Sequence, residues 1–291
     1  MTSDPLLAGV ELGGTKTIAV LARGGDIIDR LRVATTAPAE TLGAIAERLT
    51  QWQPDALGIA SFGPVATHRG DPRFGHILAT PKPGWQGTDL IAALAPDLPG
   101  KRDLPVALTT DVIAAALAEG QAGAAVGLSD FVYVTIGTGI GMGIVSHGHP
   151  LTGRLHPEAG HMLVPRVPGD TFPGTCPFHR DCLEGLASGP AIRARSGQDA
   201  AALRDDDPAW AYVVDALAHG FANLRLTLAC QRFIIGGGVA LARPWLAAAI
   251  EARIDQILAG YLSDPCPVVP AALGSDAGPR GALLLAATAL S

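Results

Sequence analysis

The chain of 291 residues is 48% hydrophobic and 16% charged, which excludes a disordered protein and suffices for two sizeable cores or one large α/β core. Its formal charge is −6 and no Lys/Arg cluster occurs, so a nucleic-acid-binding surface is not expected; a phosphate-bearing substrate has to be held by backbone N–H groups and a few placed cations. Met1-Thr2-Ser3-Asp4-Pro5 lacks the basic and apolar stretches of a secretory signal, and Ala282 to Leu290, the most apolar stretch near the other end, is too short to span a bilayer. A soluble cytoplasmic protein with no membrane partner is expected.

In chain order, Leu6 to Leu12 is an apolar run that breaks at Gly13-Gly14-Thr15-Lys16 and resumes from Thr17 to Leu21, the pattern of two strands joined by a tight turn. Ile27 to Ala34 reads as a third strand. Ala39 to Gln53 has helical spacing, with Leu42, Ile45, Ala46 and Leu49 on one face. A buried strand over Ala56 to Ala60 runs into Ser61-Phe62-Gly63-Pro64, and Asp71 to Gly87, rich in Pro and Gly, reads as a long surface loop. Val106 to Thr110 is the next strand, followed by an Ala-rich helix from Val112 to Glu119 closed by Gly120. The strand Phe131 to Ile136 breaks at Gly137-Thr138-Gly139 and continues from Gly141 to Val145. Arg154 to Cys182 has no periodicity. Asp207-Pro208 opens a long helix as cap and first residue, with Trp210, Val213, Val214, Leu217, Phe221, Leu224 and Leu228 as its buried stripe. Phe233 to Ile235 is a strand ending in Gly236-Gly237-Gly238, and a last helix follows Leu273 to Gly278. Strand, glycine loop, strand occurs twice, which predicts two similar α/β halves facing each other across a cleft.

Glycines let a backbone approach a phosphate closely, and successive N–H groups form an anion nest. Gly13, Gly14, Thr15 and Lys16 add a hydroxyl and a cation to such a nest; Gly137, Thr138 and Gly139, then Gly236, Gly237 and Gly238, are two more candidates. None is a Walker A loop, and each alone reads first as an ordinary tight turn; three at strand ends point to phosphate binding. Asp111, between a strand and a helix, has two compatible readings: a helix N-cap, or a carboxylate where α/β folds bind ligands. His161, Cys176, His179 and Cys182 supply the four nitrogen and sulfur ligands of a closed, structural zinc site stapling a loop with little to bury; a Cys176–Cys182 disulfide is the alternative. Glu158, His161 and Glu184 lie close in sequence and are suited either to sugar hydroxyls or to solvation as loop charges.

Together these segments resemble the ROK family of sugar kinases and repressors over almost the whole chain. Glu11 to Lys16 is similar to that family's first phosphate loop, Ile136 to Gly141 to its second, and His156-Pro157-Glu158-Ala159-Gly160-His161 to its sugar-binding motif. Glu184 to Pro190 is similar to the stretch after its zinc ligands, and Leu273 to Gly278 to its adenosine-side turn. The resemblance implies a two-lobed, actin-like (ribonuclease H-like) ATPase fold, an α/β architecture with a central ligand cleft. Its N-terminal lobe would span 1–112 with the returning helix 276–291, and its C-terminal lobe, with the zinc loop, 113–275. It further implies ATP and Mg²⁺ as cofactors beside structural Zn²⁺, a hexose substrate and a homodimer. The roles it implies are Asp111 as the base, Thr110, Glu158, His161 and Glu184 at the sugar, and Pro190 with the glycine loops at the nucleotide.

Thr80-Pro81-Lys82-Pro83-Gly84-Trp85, the Cys-x2-His-x2-Cys spacing and Thr110-Asp111 resemble the fructokinase branch, so fructose is the expected acceptor, forming fructose 6-phosphate, with mannose or glucose as alternatives. The chain departs from the family at Ile113, where Asn is usual, at Met142, where Gly is usual, and at Glu11, where Asp is commoner but a carboxylate for magnesium is kept. A repressor would need a helix-turn-helix ahead of the first phosphate loop, and the strand near Leu6 leaves no room for one. A sugar-sensing regulator without catalysis is the remaining rival.

Overall fold

The computed structural model describes residues 4–95 and 104–290. The first part of the chain forms β1 (Leu6–Leu12), β2 (Lys16–Arg23), β3 (Asp26–Ala34), α1 (Pro38–Trp52), β4 (Ala56–Ser61), α2 (Leu90–Leu94), β5 (Val106–Thr110) and α3 (Asp111–Ala122). The remainder forms β6 (Phe131–Ile136), β7 (Ile140–Ser146), β8 (His149–Pro150), α4 (Leu183–Ala187), α5 (Gly189–Ser196), α6 (Ala209–Leu228), β9 (Arg232–Gly236), α7 (Gly237–Leu241), α8 (Trp245–Leu258), β10 (Val268–Pro270) and α9 (Ala277–Leu290). Two compact units result. One holds the described residues up to Ala118, Thr152–His156 and the chain from Asp276 onward; the other holds Glu119–Leu151 and Pro157–Ser275. The 112/113 boundary expected from sequence falls inside α3, whereas the units divide between Ala118 and Glu119, further along that helix.

Each unit carries one five-stranded sheet. The first has the order β3-β2-β1-β4-β5, the second β8-β7-β6-β9-β10. In both, the first three strands are antiparallel neighbours, and the last two run parallel to the middle one. The repetition anticipated from the two glycine-broken strand pairs is therefore a repetition of topology.

Alternation along the strands decides what each face packs against. In the first unit Val10, Leu12, Leu57 and Ile59 share a core with Leu42, Ile45, Leu49 and Trp52 of α1. On the opposite face Gly9 and Gly58 meet α9: a Cβ on Gly58 would overlap the Ala282 carbonyl, so only glycine lets that helix seat on β4. In the second unit Val132, Val134, Ile136 and Ile235 pack with the α6 stripe, where the Phe221 and Phe233 rings stack at 4.6 Å. Val214 and Leu228 of that stripe are only partly buried.

Some local readings change. Gly120 does not close α3, which continues to Ala122; Gly120 faces the Phe131 ring, where a side chain would crowd it. Helix α6 starts at Ala209, with the Asp207 carboxylate accepting its N–H at 2.8 Å and Pro208 already in helical geometry. The short elements α2, α4, α5, β8 and β10 carry too few residues for periodicity to mark them. Among the described residues no helix is long and apolar enough to cross a membrane.

Candidate functional site

The first glycine turn links β1 to β2, and the Gly13 N–H donates to the Lys16 carbonyl at 3.0 Å. The Thr35 hydroxyl donates to Gly13 O at 2.8 Å, and Lys82 reaches across to donate from Nζ to Gly14 O. Gly14 and Thr15 remain exposed. In the second unit Gly137 donates to Gly139 O at 2.9 Å, and Gly189 donates to Gly137 O at 2.7 Å. This bond sets the start of α5, with Gly189-Pro190, beside the second turn. Gly236 closes β9, and Gly237 and Gly238 open α7 directly, so the third glycine run is a strand-to-helix junction beside Gly137.

The Ile140 peptide joins the second turn to the acidic residues. Glu184, on α4, accepts the Ile140 N–H on Oε2 at 3.0 Å. On the other side, Gly160 packs so tightly on the Ile140 carbonyl that any Cβ would overlap it. That approach fixes the short 3₁₀ turn Ala159–His161, which carries Glu158 and His161 next to Glu184. His161 Nε2 lies 4.0 Å from Glu184 Oε1. Burial, helped by the Glu184 charge, pushes the Glu158 carboxyl up to about 7.

The other ring nitrogen of His161 faces sulfur. Its Nδ1 is 3.6 Å from Cys176 Sγ and 3.5 Å from Cys182 Sγ, while His179 Nδ1 is 3.7 Å from Cys176 Sγ. The ligand atoms of all four residues lie within 4.8 Å of one another. Bonds of ~2.3 Å to sulfur and ~2.0 Å to nitrogen place tetrahedral corners about 3.5 Å apart, so the set has the size of a four-coordinate metal site. The disulfide alternative is not realised, since Cys176 and Cys182 are free thiols. The loop is also less empty than its sequence implies. Arg195 lies between the Phe172 and Tyr212 rings, 4.3 Å from each, and grips Asp170 with two bonds of 2.8 and 2.9 Å.

Asp111 is the first residue of α3, at the end of β5. The capping oxygen is the hydroxyl of buried Thr110, which accepts the Ile113 N–H at 3.3 Å. Asp111 Oδ1 accepts the adjacent Val112 N–H at 2.9 Å. Ile113 and Met142 are both buried core residues here. Glu11, on β1, has a buried Oε2 with no hydrogen-bond partner, and burial pushes its carboxyl up to about 7 against the pull of Lys16.

The ROK family model matches residues 7–289, and the chain belongs to that family. A fructokinase from Pediococcus pentosaceus is 41% identical over 98% of this chain and 99% of its own. One from Zymomonas mobilis is 38% identical over 99% of both. Among solved structures, a ROK hexokinase from Thermus thermophilus superposes with a TM-score of 0.79 at 29% identity, covering 98% of this chain and 99% of its own. A ROK glucokinase from Streptomyces griseus, solved with glucose and AMPPNP, gives 0.77 at 27% identity, covering 97% and 99%. The fold is the two-sheet, actin-like α/β architecture of these sugar kinases.

Sequence reasoning left out Lys82 as a tether of the first turn, because its partner lies 68 residues away with no spacing signal. It also left out the Arg195 clamp, although Asp170, Phe172 and Arg195 are each of a type suited to one.

Glu11 gives a pH-dependent expectation. A carboxyl whose folded pKa lies above its unfolded value holds its proton more tightly when folded; its stabilising contribution is full at low pH and is lost as pH rises through about 7. In protein free of metal and nucleotide, Glu11→Gln should therefore gain stability relative to wild type between pH 5 and 8, by up to ~3 kcal/mol. Urea melts at several pH values check this, and parallel pH profiles for the two proteins would count against it.

Proposed function

We propose that the chain is an ATP-dependent hexose kinase whose acceptor is fructose. The observation that carries this reading is full-length identity of 41% and 38% to two fructokinases, in a chain that keeps a carboxylate at the end of β5. In the proposed reaction the sugar's 6-hydroxyl attacks the γ-phosphorus in line while Asp111 accepts the hydroxyl proton. Thr110 caps the helix that carries Asp111 and so fixes where that carboxylate stands. Glu158, His161 and Glu184 orient the sugar. Glu184 has one oxygen bound to the Ile140 N–H and its other oxygen left for a hydroxyl, and His161 turns Nε2 away from the sulfur atoms.

The N–H groups of Gly13, Gly14, Thr15, Gly137, Thr138 and Gly139, with Lys16, bind the phosphates. Pro190, Gly236, Gly237 and Gly238 border the nucleotide, with the Leu273–Gly278 turn on its adenosine side. The unpaired buried oxygen of Glu11 fits a magnesium ion, which when bound neutralises phosphate charge. His161, Cys176, His179 and Cys182 would hold zinc in a closed site, where the metal supplies structure and no open position for chemistry. A cytoplasmic homodimer completes the reading, with no nucleic-acid partner at a formal charge of −6.

A coupled assay over a hexose panel tests the acceptor. Fructose should give the highest kcat/KM, with mannose weaker. A tenfold preference for glucose, the sugar bound in the S. griseus structure, corresponds to about 1.4 kcal/mol in the transition state and would replace fructose in the reading.

Protein purified without chelator should contain about one zinc per chain. Cys182→Ala should lower both the melting temperature and the affinity for sugar, because binding energy at such a site is also folding energy. Full stability and activity in a metal-free preparation would contradict the assignment.

Asp111→Asn keeps the side-chain shape and the acceptor facing Val112, while Thr110 keeps the cap, so stability should hardly change. Turnover should fall by roughly 10²–10⁴-fold, the usual range for a general base, with sugar and ATP binding still measurable by calorimetry. Turnover within about threefold of wild type would remove Asp111 from the mechanism.

A further inference from the structure

Glu119 lies on α3 at 0% exposure, and the proposed reaction gives it no part. Its carboxylate accepts three backbone N–H groups: Leu273 on Oε1 at 2.9 Å, and Ala272 at 3.2 Å and Ala124 at 2.6 Å on Oε2. A buried carboxylate is costly unless such charge-assisted bonds compensate it, so the arrangement holds both partners firmly. One partner is the chain just beyond α3. The others lie more than 150 residues away, immediately before the 3₁₀ turn Gly274–Asp276.

Strand pairing fixes the same segment from its other end. Pro270 of β10 is in parallel register with Ile235 of β9, and the Ala271 N–H donates to Ile235 O at 2.9 Å. Ala272 and Leu273 therefore leave the sheet at the edge where β9 ends in Gly236-Gly237-Gly238. The carboxyl ends of parallel strands are where α/β sheets bind ligands, and at this edge Glu119 decides the path of one of the two departing chains.

We propose that Glu119 is a positioning residue for the nucleotide: it holds Ala272 and Leu273 so that the turn after them presents one fixed backbone to the adenosine of ATP. The proposal rests on the kinase reading above, which places the Leu273–Gly278 turn on the adenosine side. Glu119 touches no substrate and acts only through that turn. Gln in its place keeps one acceptor oxygen but turns an NH₂ toward backbone N–H groups, loosening the turn without adding or removing a group at the nucleotide.

The test compares wild type, Glu119→Gln and Glu119→Asp. For Glu119→Gln, KM for ATP and the calorimetric Kd for AMPPNP should rise together by roughly tenfold, the loss of one or two charge-assisted bonds. KM for fructose and kcat at saturating ATP should stay within about twofold, a split that general destabilisation does not produce. Glu119→Asp keeps the charge but shortens the reach, and should fall between the two; if the Gln variant does not fold, the Asp variant carries the test. Unchanged nucleotide affinity, or equal losses in kcat and both KM values, would overturn the role of Glu119. Failure of the wild type to phosphorylate any hexose would instead overturn the kinase reading, and AMPPNP affinity would still decide the case of Glu119.

Discussion

The second unit is organised around a single peptide. Ile140 gives its N–H to Glu184 and its carbonyl surface to Gly160, so the second glycine turn and the acidic residues proposed to bind sugar share one piece of backbone. Neither contact tolerates much change. The first needs a carboxylate on α4 at the right height, and the second needs a residue without a Cβ. Ile140 opens β7 and is itself part of the buried core, so this junction is anchored in the packing beneath it. His161 extends the same chain of contacts, with one nitrogen towards Glu184 and the other among the sulfur atoms. A displacement of Cys176 or Cys182 would therefore be felt at Glu184 through a single ring.

An acidic protein that handles phosphates has to gather positive potential locally. In the reading proposed above the backbone supplies most of it, at three glycine-rich strand ends. The cations are few and tied down: Lys16 stands at the start of β2, and Lys82 is drawn onto the Gly14 carbonyl and over the Phe62 ring. Buried carboxylates have the complementary task. Glu119 and Glu184 each accept backbone N–H groups and lock a turn, whereas Glu11 keeps a buried oxygen unpaired and its pKa is pushed up. The same side chain thus serves as a fastener where donors surround it and as a candidate cation ligand where they do not.

Much of this was legible in the sequence for a physical reason. Strands that alternate, and helices with an apolar stripe, carry their burial in their spacing, which is why β1, β5, β6, α1 and α6 were legible to within a residue or two. The Cys-x2-His-x2-Cys run was legible because metal geometry demands those residue types close together. Contacts whose partners are far apart in sequence were not. Glu119 sits in an Ala-rich helix where nothing marks its partners beyond residue 270, and the Gly160–Ile140 packing depends on a tertiary approach that no local pattern encodes. At Asp111 the sequence offered a cap and a base together. In the structure Thr110, one residue earlier, also accepts a first-turn N–H.

The stretch between His161 and Cys176 shows why a candidate metal site and an ion-pair clamp occur in the same loop. A segment this rich in Gly and Pro buries little apolar surface, so its order has to come from polar fasteners. The metal-site residues hold its two ends. The clamp holds its middle: Asp170 is gripped by Arg195 and approached by Arg166 at 3.3 Å, and that arginine also reaches Asp181 at 3.1 Å, one residue before Cys182. Strong hydrogen bonds from Arg195 hold the Asp170 carboxyl down at about 2, so the clamp stays charged through the neutral range. If the Cys/His set holds the proposed zinc, the two fasteners respond to different conditions, one to metal and the other to acid. Loss of that zinc would free His161, which faces Glu184, while Asp170 stays anchored, so the effect would fall first on Glu184 and not on the whole loop.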